Sequence, residues 1–148
     1  MQGTRKDRRA RRAGAVAGSL AAAAVAAVVT GPPAAAEVQS KTRTDTYSFT
    51  ASGKAVTCSV TSRLEYDTAT QEFSASTTIS GPEQPECRAS WPEVTVVESD
   101  GRTHHAQGYG GIVNLSGGPA TSALRSTHLV YFQACSCTSP TWEQSLPK

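Results

Sequence analysis

The chain has 148 residues, of which 14 are Lys or Arg and 12 are Asp or Glu, for a formal net charge of +2. Six of the basic residues and one acidic residue precede position 13, so the remainder carries eight basic and eleven acidic residues, a net of −3. That remainder has no positive field with which to hold a phosphate backbone or an anionic lipid surface, which excludes nucleic acid from the expected partners.

In chain order, Arg5, Lys6, Arg8, Arg9, Arg11 and Arg12 lead into an alanine-dominated apolar run over 13–29, whose strongly hydrophobic members are Val16, Leu20, Val25, Val28 and Val29. Gly31, Pro32 and Pro33 break the run, and Ala34, Ala35 and Ala36 supply the small residues that a signal peptidase accepts. Basic, apolar and small-residue regions in that order predict a secretory signal peptide over 1–36, cut before Glu37. A spanning helix needs about 20 predominantly apolar residues, and this run is short and weakly hydrophobic, so no membrane attachment is expected after cleavage. Arg8-Arg9-Ala10-Arg11 lacks the bulky apolar residues that follow a twin-arginine pair, so the Sec route is expected. The alanine-rich leader points to a bacterium with GC-rich coding, and the predicted destination is extracellular.

Residues 37–148 suffice for one domain, too small to be comfortable without bracing. Cys58, Cys87, Cys135 and Cys137 are an even set in a short exported chain and predict two disulfides. Their spacing does not fit a zinc ribbon. If Cys135 and Cys137 lie on a strand they share a face, so each is expected to reach a neighbouring element, one taking Cys58 and the other Cys87. A bridge closing a loop of roughly eighty residues stabilises by about 4 to 5 kcal/mol on the chain-entropy estimate. The rival pairing, Cys58 with Cys87 and Cys135 with Cys137, leaves a tight ring that is easily reduced and suits redox chemistry.

After a mobile lead-in over 37–43, Tyr47 and Phe49 mark one face of a short first strand. Val56, Cys58, Val60 and Leu64 share one parity and Thr57, Ser59, Thr61, Arg63 and Glu65 the other, the period-two pattern of a strand with one wet face. Residues 67–71 turn the chain, and Phe73, Ala75 and Ile79 repeat the alternation, predicting an antiparallel hairpin. Cys87, Ala89 and Trp91 open the next strand, where Pro92 suggests an edge or a bulge. Asp100-Gly101 is a two-residue hairpin signal with positive φ expected at both positions. A short strand over 112–115 and a long last one over 127–137 follow, with a tail over 138–148. About seven short strands joined by turns predict an all-β fold, an antiparallel β-sandwich of immunoglobulin-like architecture braced by two disulfides.

Chemistry-bearing patterns are sparse. His104 and His105 are adjacent and so face opposite sides of a strand, which argues against a shared metal ion, and no metal or other cofactor is expected. No serine sits in a Gly-x-Ser-x-Gly elbow, and no catalytic residue is assigned. Gly108-Tyr109-Gly110-Gly111 lacks the lysine and helix of a phosphate loop and reads as a turn. The last strand is apolar on both parities, with Leu129 and Tyr131 on one and Val130, Phe132 and Ala134 beside His128 on the other. Either it is covered on both sides, or His128, Val130 and Phe132 join Trp91 and Tyr109 in a binding patch that takes a partner or, in a homodimer through the last strand, a second copy. Trp91, Tyr109 and Trp142 are the candidate stacking surfaces for sugar.

The run from Cys87 to Pro92, followed by Val94, Val96 and Asp100-Gly101, resembles the reactive-loop region of the bacterial subtilisin-inhibitor family over that short stretch. The spacing of Cys58, Cys135 and Cys137 departs from that family. The tendamistat-type amylase inhibitors expose Trp-Arg-Tyr, whereas Pro92 follows Trp91 here. The chain is assigned to neither. The expected function is a secreted, non-catalytic binding or interaction module, with a hydrolase inhibitor as its sharpest version and an unknown protein or cell-wall carbohydrate as its partner. The alternative is a small secreted hydrolase or a thiol–disulfide redox protein using Cys135 and Cys137.

Overall fold

In the computed structural model, which describes residues 36–81, 85–121 and 123–147, the period-two runs become strands. The leader read over 1–36 lies outside these residues, save Ala36. Strand β2 (Lys54–Asp67) turns its even-numbered side chains inward from Val56 to Tyr66, and all of them are buried. Strand β3 (Glu72–Ser80) buries Phe73, Ala75, Thr77 and Ile79, and pairs with β2 in the register Leu64 to Ala75. Both strands belong to a sheet ordered β1-β2-β3-β6, with β1 at Val38–Ala51 and β6 at Ile112–Gly117.

The second sheet is ordered β5-β4-β7, with β4 at Ser90–Glu98, β5 at Thr103–Gln107 and β7 at Leu124–Phe132. Its far edge is shared by β8 (Cys137–Thr138) against residues 131 and 132, and by β9 (Trp142–Ser145) against residues 125 to 128. All pairings are antiparallel. The chain crosses between sheets after β3, β5 and β6, so that β6 returns beside β3 and β7 beside β4. These crossovers join the two antiparallel sheets into a sandwich whose strand order is not that of an immunoglobulin domain, in which the first sheet would be ordered 1-2-5-4. The expected all-β sandwich is therefore the fold, with nine strands among the described residues rather than about seven.

Several local expectations are corrected. Residues 38–43 are not a loose lead-in but the start of β1, paired to residues 62–67 of β2. Their inward parity carries Lys41 and Arg43, both exposed, and charges on an edge strand discourage further pairing. The tail over 138–148 contains β9, whose Trp142 and Gln144 are buried. Residues 85–88 form a single helical turn, α1 (Pro85–Arg88), instead of a strand. Pro92 lies in the inner strand β4, and its carbonyl accepts from Gly108 N at 2.9 Å. Its missing N–H therefore faces the loop just past β5 and not β7, on the side where regular strand pairing has ended. At the β4–β5 hairpin only Gly101 has positive φ, at 89°, and Gly101 N bonds Glu98 O while Glu98 N bonds Arg102 O. That is a three-residue loop with a glycine bulge, not the two-residue turn.

The core has two apolar clusters, one around Leu64, Phe73, Val94, Val96 and Leu124, the other around Val56, Val60, Ile79, Val130 and Phe132. Between them along the strands runs a polar belt made of Ser62, Thr77, Ser126, His128 and Gln144, all buried. Thr77 Oγ1 and His128 Nδ1 are 2.7 Å apart across the two sheets, and Ser126 Oγ lies 2.8 Å from His128 Nε2. Gln144 Nε2 donates to the Ser62 carbonyl at 2.8 Å, another link between sheets. Hydrogen-bonded polar groups inside a core fix one register, since a slip leaves them unpaired, although the buried Gln144 Oε1 has no partner here. Burial lowers the His128 pKa from 6.5 to about 4, so the belt contains a neutral imidazole at neutral pH.

Candidate functional site

Three aromatic side chains, with Glu93 and Gln107 beside them, gather on the outer face of the second sheet. Trp91 of β4 and Tyr131 of β7 are directly opposite in register, and their ring centroids are 5.6 Å apart. Tyr109 joins them from the loop after β5, 5.0 Å from Trp91. Tyr109 is 61% exposed and Tyr131 38%. The loop is clamped to β4 by Gly108 N to Pro92 O and by Gly110 N to Ser90 O at 3.1 Å. A Cβ on Gly108 would collide with the Ile112 carbonyl, and Gly110 and Gly111 have φ of 78° and 83°, so glycine is required for this hold. Tyr109 is thus placed over Trp91 by backbone.

A shallow groove of about 440 Å³ runs beside the rings, lined by Trp91, Glu93, Gln107, Leu129, Tyr131 and Thr138. Gln107 Nε2 donates to Glu93 Oε1 at 2.9 Å, and His105 Nε2 is 3.6 Å from Glu93 Oε2. One side of the groove is therefore aromatic and the other is a carboxylate and an amide with lone pairs and N–H groups left over for a ligand.

The patch expected around the last strand is half right in location and wrong in parity. Trp91 and Tyr109 are at the surface, but His128, Val130 and Phe132 are fully buried. The inward parity of β7 runs from Leu124 through Ser126 to Phe132, which leaves Leu129 and Tyr131 pointing out. Trp142, offered as a stacking surface, is buried in the core. The strand β7 is paired along both edges, by β4 and by β8 and β9.

The three histidines do not converge. His104 Nε2 is 2.7 Å from Glu98 Oε1 and its ring packs on Phe73, His105 faces outward beside Glu93, and His128 lies in the polar belt. Buried Glu98 also accepts from Arg102 Nη2 and from Thr121 N, both at 2.9 Å. This knot pins the β4–β5 hairpin to the loop before β7. A second recess, of about 490 Å³ on the other sheet, collects Glu65, Asp67 and Glu72. Glu65 there is already held by Arg63 and Ser74.

The disulfides also differ from the favoured pairing. Cys58 is bonded to Cys87, and Cys135 to Cys137. The crossed arrangement assumed that 135 and 137 lie on a strand. Instead β7 ends at Phe132, and residues 133–136 reverse the chain, with Ser136 N bonded to Gln133 O and Ser136 at φ 50°. Cys58 and Cys87 are fully buried, joining β2 to α1 across 29 residues, a closure that contributes about 3 to 4 kcal/mol on the chain-entropy estimate. The Cys135–Cys137 bridge spans a separation of 2 and contributes less than about 2 kcal/mol by the same reasoning. A left-handed serine costs about 1 to 2 kcal/mol on top.

The stretch similar to an inhibitor reactive loop does not protrude, since Cys87, Ser90 and Pro92 are buried. Among the described residues no helix is long and apolar enough to cross a membrane. Fold and site together define a disulfide-braced β-sandwich with an exposed aromatic face. No family model matches the chain, and neither a curated protein nor a solved structure is significantly similar to it.

Proposed function

We propose that this chain is an exported, non-catalytic binding module whose ligand is a saccharide of the bacterial cell envelope. The observation that carries the reading is the packing of both Tyr109 and Tyr131 against Trp91, on an open sheet face. Aromatic side chains are costly to leave in water, and exposed ones grouped together mark a contact surface. A sugar ring has an apolar C–H face and an equatorial rim of hydroxyls. The rings match the first, and Glu93 and Gln107, which line the same groove, match the second. The excess of acid over base after position 13 and the two disulfides fit a partner met outside the cell.

The test is sedimentation of the purified chain with insoluble cell-wall polysaccharide. We expect the native chain to pellet and Trp91→Ala to lose binding by about tenfold or more, in line with the loss of one stacking ring. Equal retention of both would contradict the proposal.

A further inference from the structure

We propose that Cys135 and Cys137 form a thiol–disulfide exchange site that takes dithiols, a role independent of saccharide binding. The bridge spans two residues, so bracing the fold falls to the buried Cys58–Cys87 bond. The segments on either side are held without it. Val130 N donates to Ser139 Oγ at 3.0 Å, Ser139 N donates to Val130 O at 2.8 Å, and Tyr47 hydroxyl donates to the Thr138 carbonyl at 3.2 Å. The bond can therefore open while β8 stays in place.

Access and geometry favour opening. Cys135 and Cys137 are half-buried in a turn whose Gln133, Ala134 and Ser136 are exposed, whereas both sulfurs of the other bridge are inaccessible. Opening the ring also frees Ser136 to leave its left-handed conformation. Cys135 Sγ is 3.7 Å from the Phe132 carbonyl, an acceptor ready for the thiol formed there.

The step is an exchange with an external dithiol of the Cys-x-x-Cys type. Its thiolate attacks one sulfur of the bridge, forming a mixed disulfide and expelling the other as a thiolate that takes a proton from water. The second thiol of the reagent then gives up its proton and displaces the first sulfur. Two electrons and two protons pass to the protein, leaving Cys135 and Cys137 as thiols and the dithiol as a disulfide.

The purified oxidised chain is titrated with dithiothreitol, alkylated, and its peptides weighed. We expect Cys135 and Cys137 to be alkylated at a dithiol concentration at least about tenfold below that needed for Cys58 and Cys87, with unchanged circular dichroism. Mixed with a reduced Cys-x-x-Cys peptide, the native chain should oxidise one peptide per molecule, and the folded Cys135→Ser/Cys137→Ser variant none. Joint opening of the two bridges, no transfer from the native chain, or equal transfer from the variant would overturn the proposal. Sedimentation with polysaccharide reads the binding function separately.

Discussion

The two faces of β7 are built from alternate residues of one strand and do different work. Inward, Leu124, Ser126, His128, Val130 and Phe132 are buried, with the imidazole hydrogen-bonded on both nitrogens. Outward, Leu129 and Tyr131 are only partly covered and meet Trp91 and the groove. The same apolar character thus contributes to stability on one side and is left partly open to solvent on the other. Apolar residues alone do not distinguish a core from a contact surface; what lies over them does.

Changes on the inner face should act on stability without altering the ligand surface. Phe132→Ala removes a fully buried ring that packs on Tyr47 and Phe49 at 5.3 and 5.0 Å. A loss of about 3 to 5 kcal/mol is expected in urea unfolding, with polysaccharide affinity unchanged for the molecules that remain folded.

The next largest effect is that of acid on His128. Its folded pKa, lowered to about 4, lies below the 6.5 of the unfolded chain, so between those values the unfolded state binds the proton that the folded state refuses. Stability from this residue is complete above pH 6.5 and falls as pH drops toward 4, by about 3 kcal/mol in all. Urea curves of the native chain and of His128→Gln, which has no proton to take, should diverge across that window. Parallel pH profiles would remove His128 as the cause.

On the outer face the order reverses. Tyr131→Ala should cost about 1 kcal/mol of stability, the ordinary effect of trimming a partly exposed side chain, while weakening polysaccharide binding as Trp91→Ala does. A large stability loss without a binding defect would show that the outer rings serve as core.

The β2–β3 hairpin was legible because Val56, Val60 and Leu64, then Phe73, Ala75 and Ile79, alternate with polar residues. Within those runs Ser62 and Thr77 already stand on the apolar parity, as His128 does in the last strand, and these are the sequence signs of the polar belt. The parity of β7 was not legible, since both of its faces are apolar for different reasons. The start of β1 left no pattern because its inward positions extend to where they are exposed, and Lys41 and Arg43 can occupy them. The pairing of Cys135 with Cys137 depends on a reversal over 133–136 that has no glycine or asparagine to announce it, with Ser136 taking the left-handed position. Trp91 and Tyr109 were singled out in the chain, but Glu93, Gln107 and Tyr131 joined them only once register put β4, β5 and β7 side by side.

The proposed ligand face can be read through Trp91 itself, since the chain has two tryptophans and Trp142 is buried. In a Trp142→Phe background, emission from Trp91 should shift to the blue and become shielded from acrylamide as soluble cell-wall polysaccharide is added, following the binding curve. Saccharide bound with no change in that emission would place the ligand elsewhere and contradict the account.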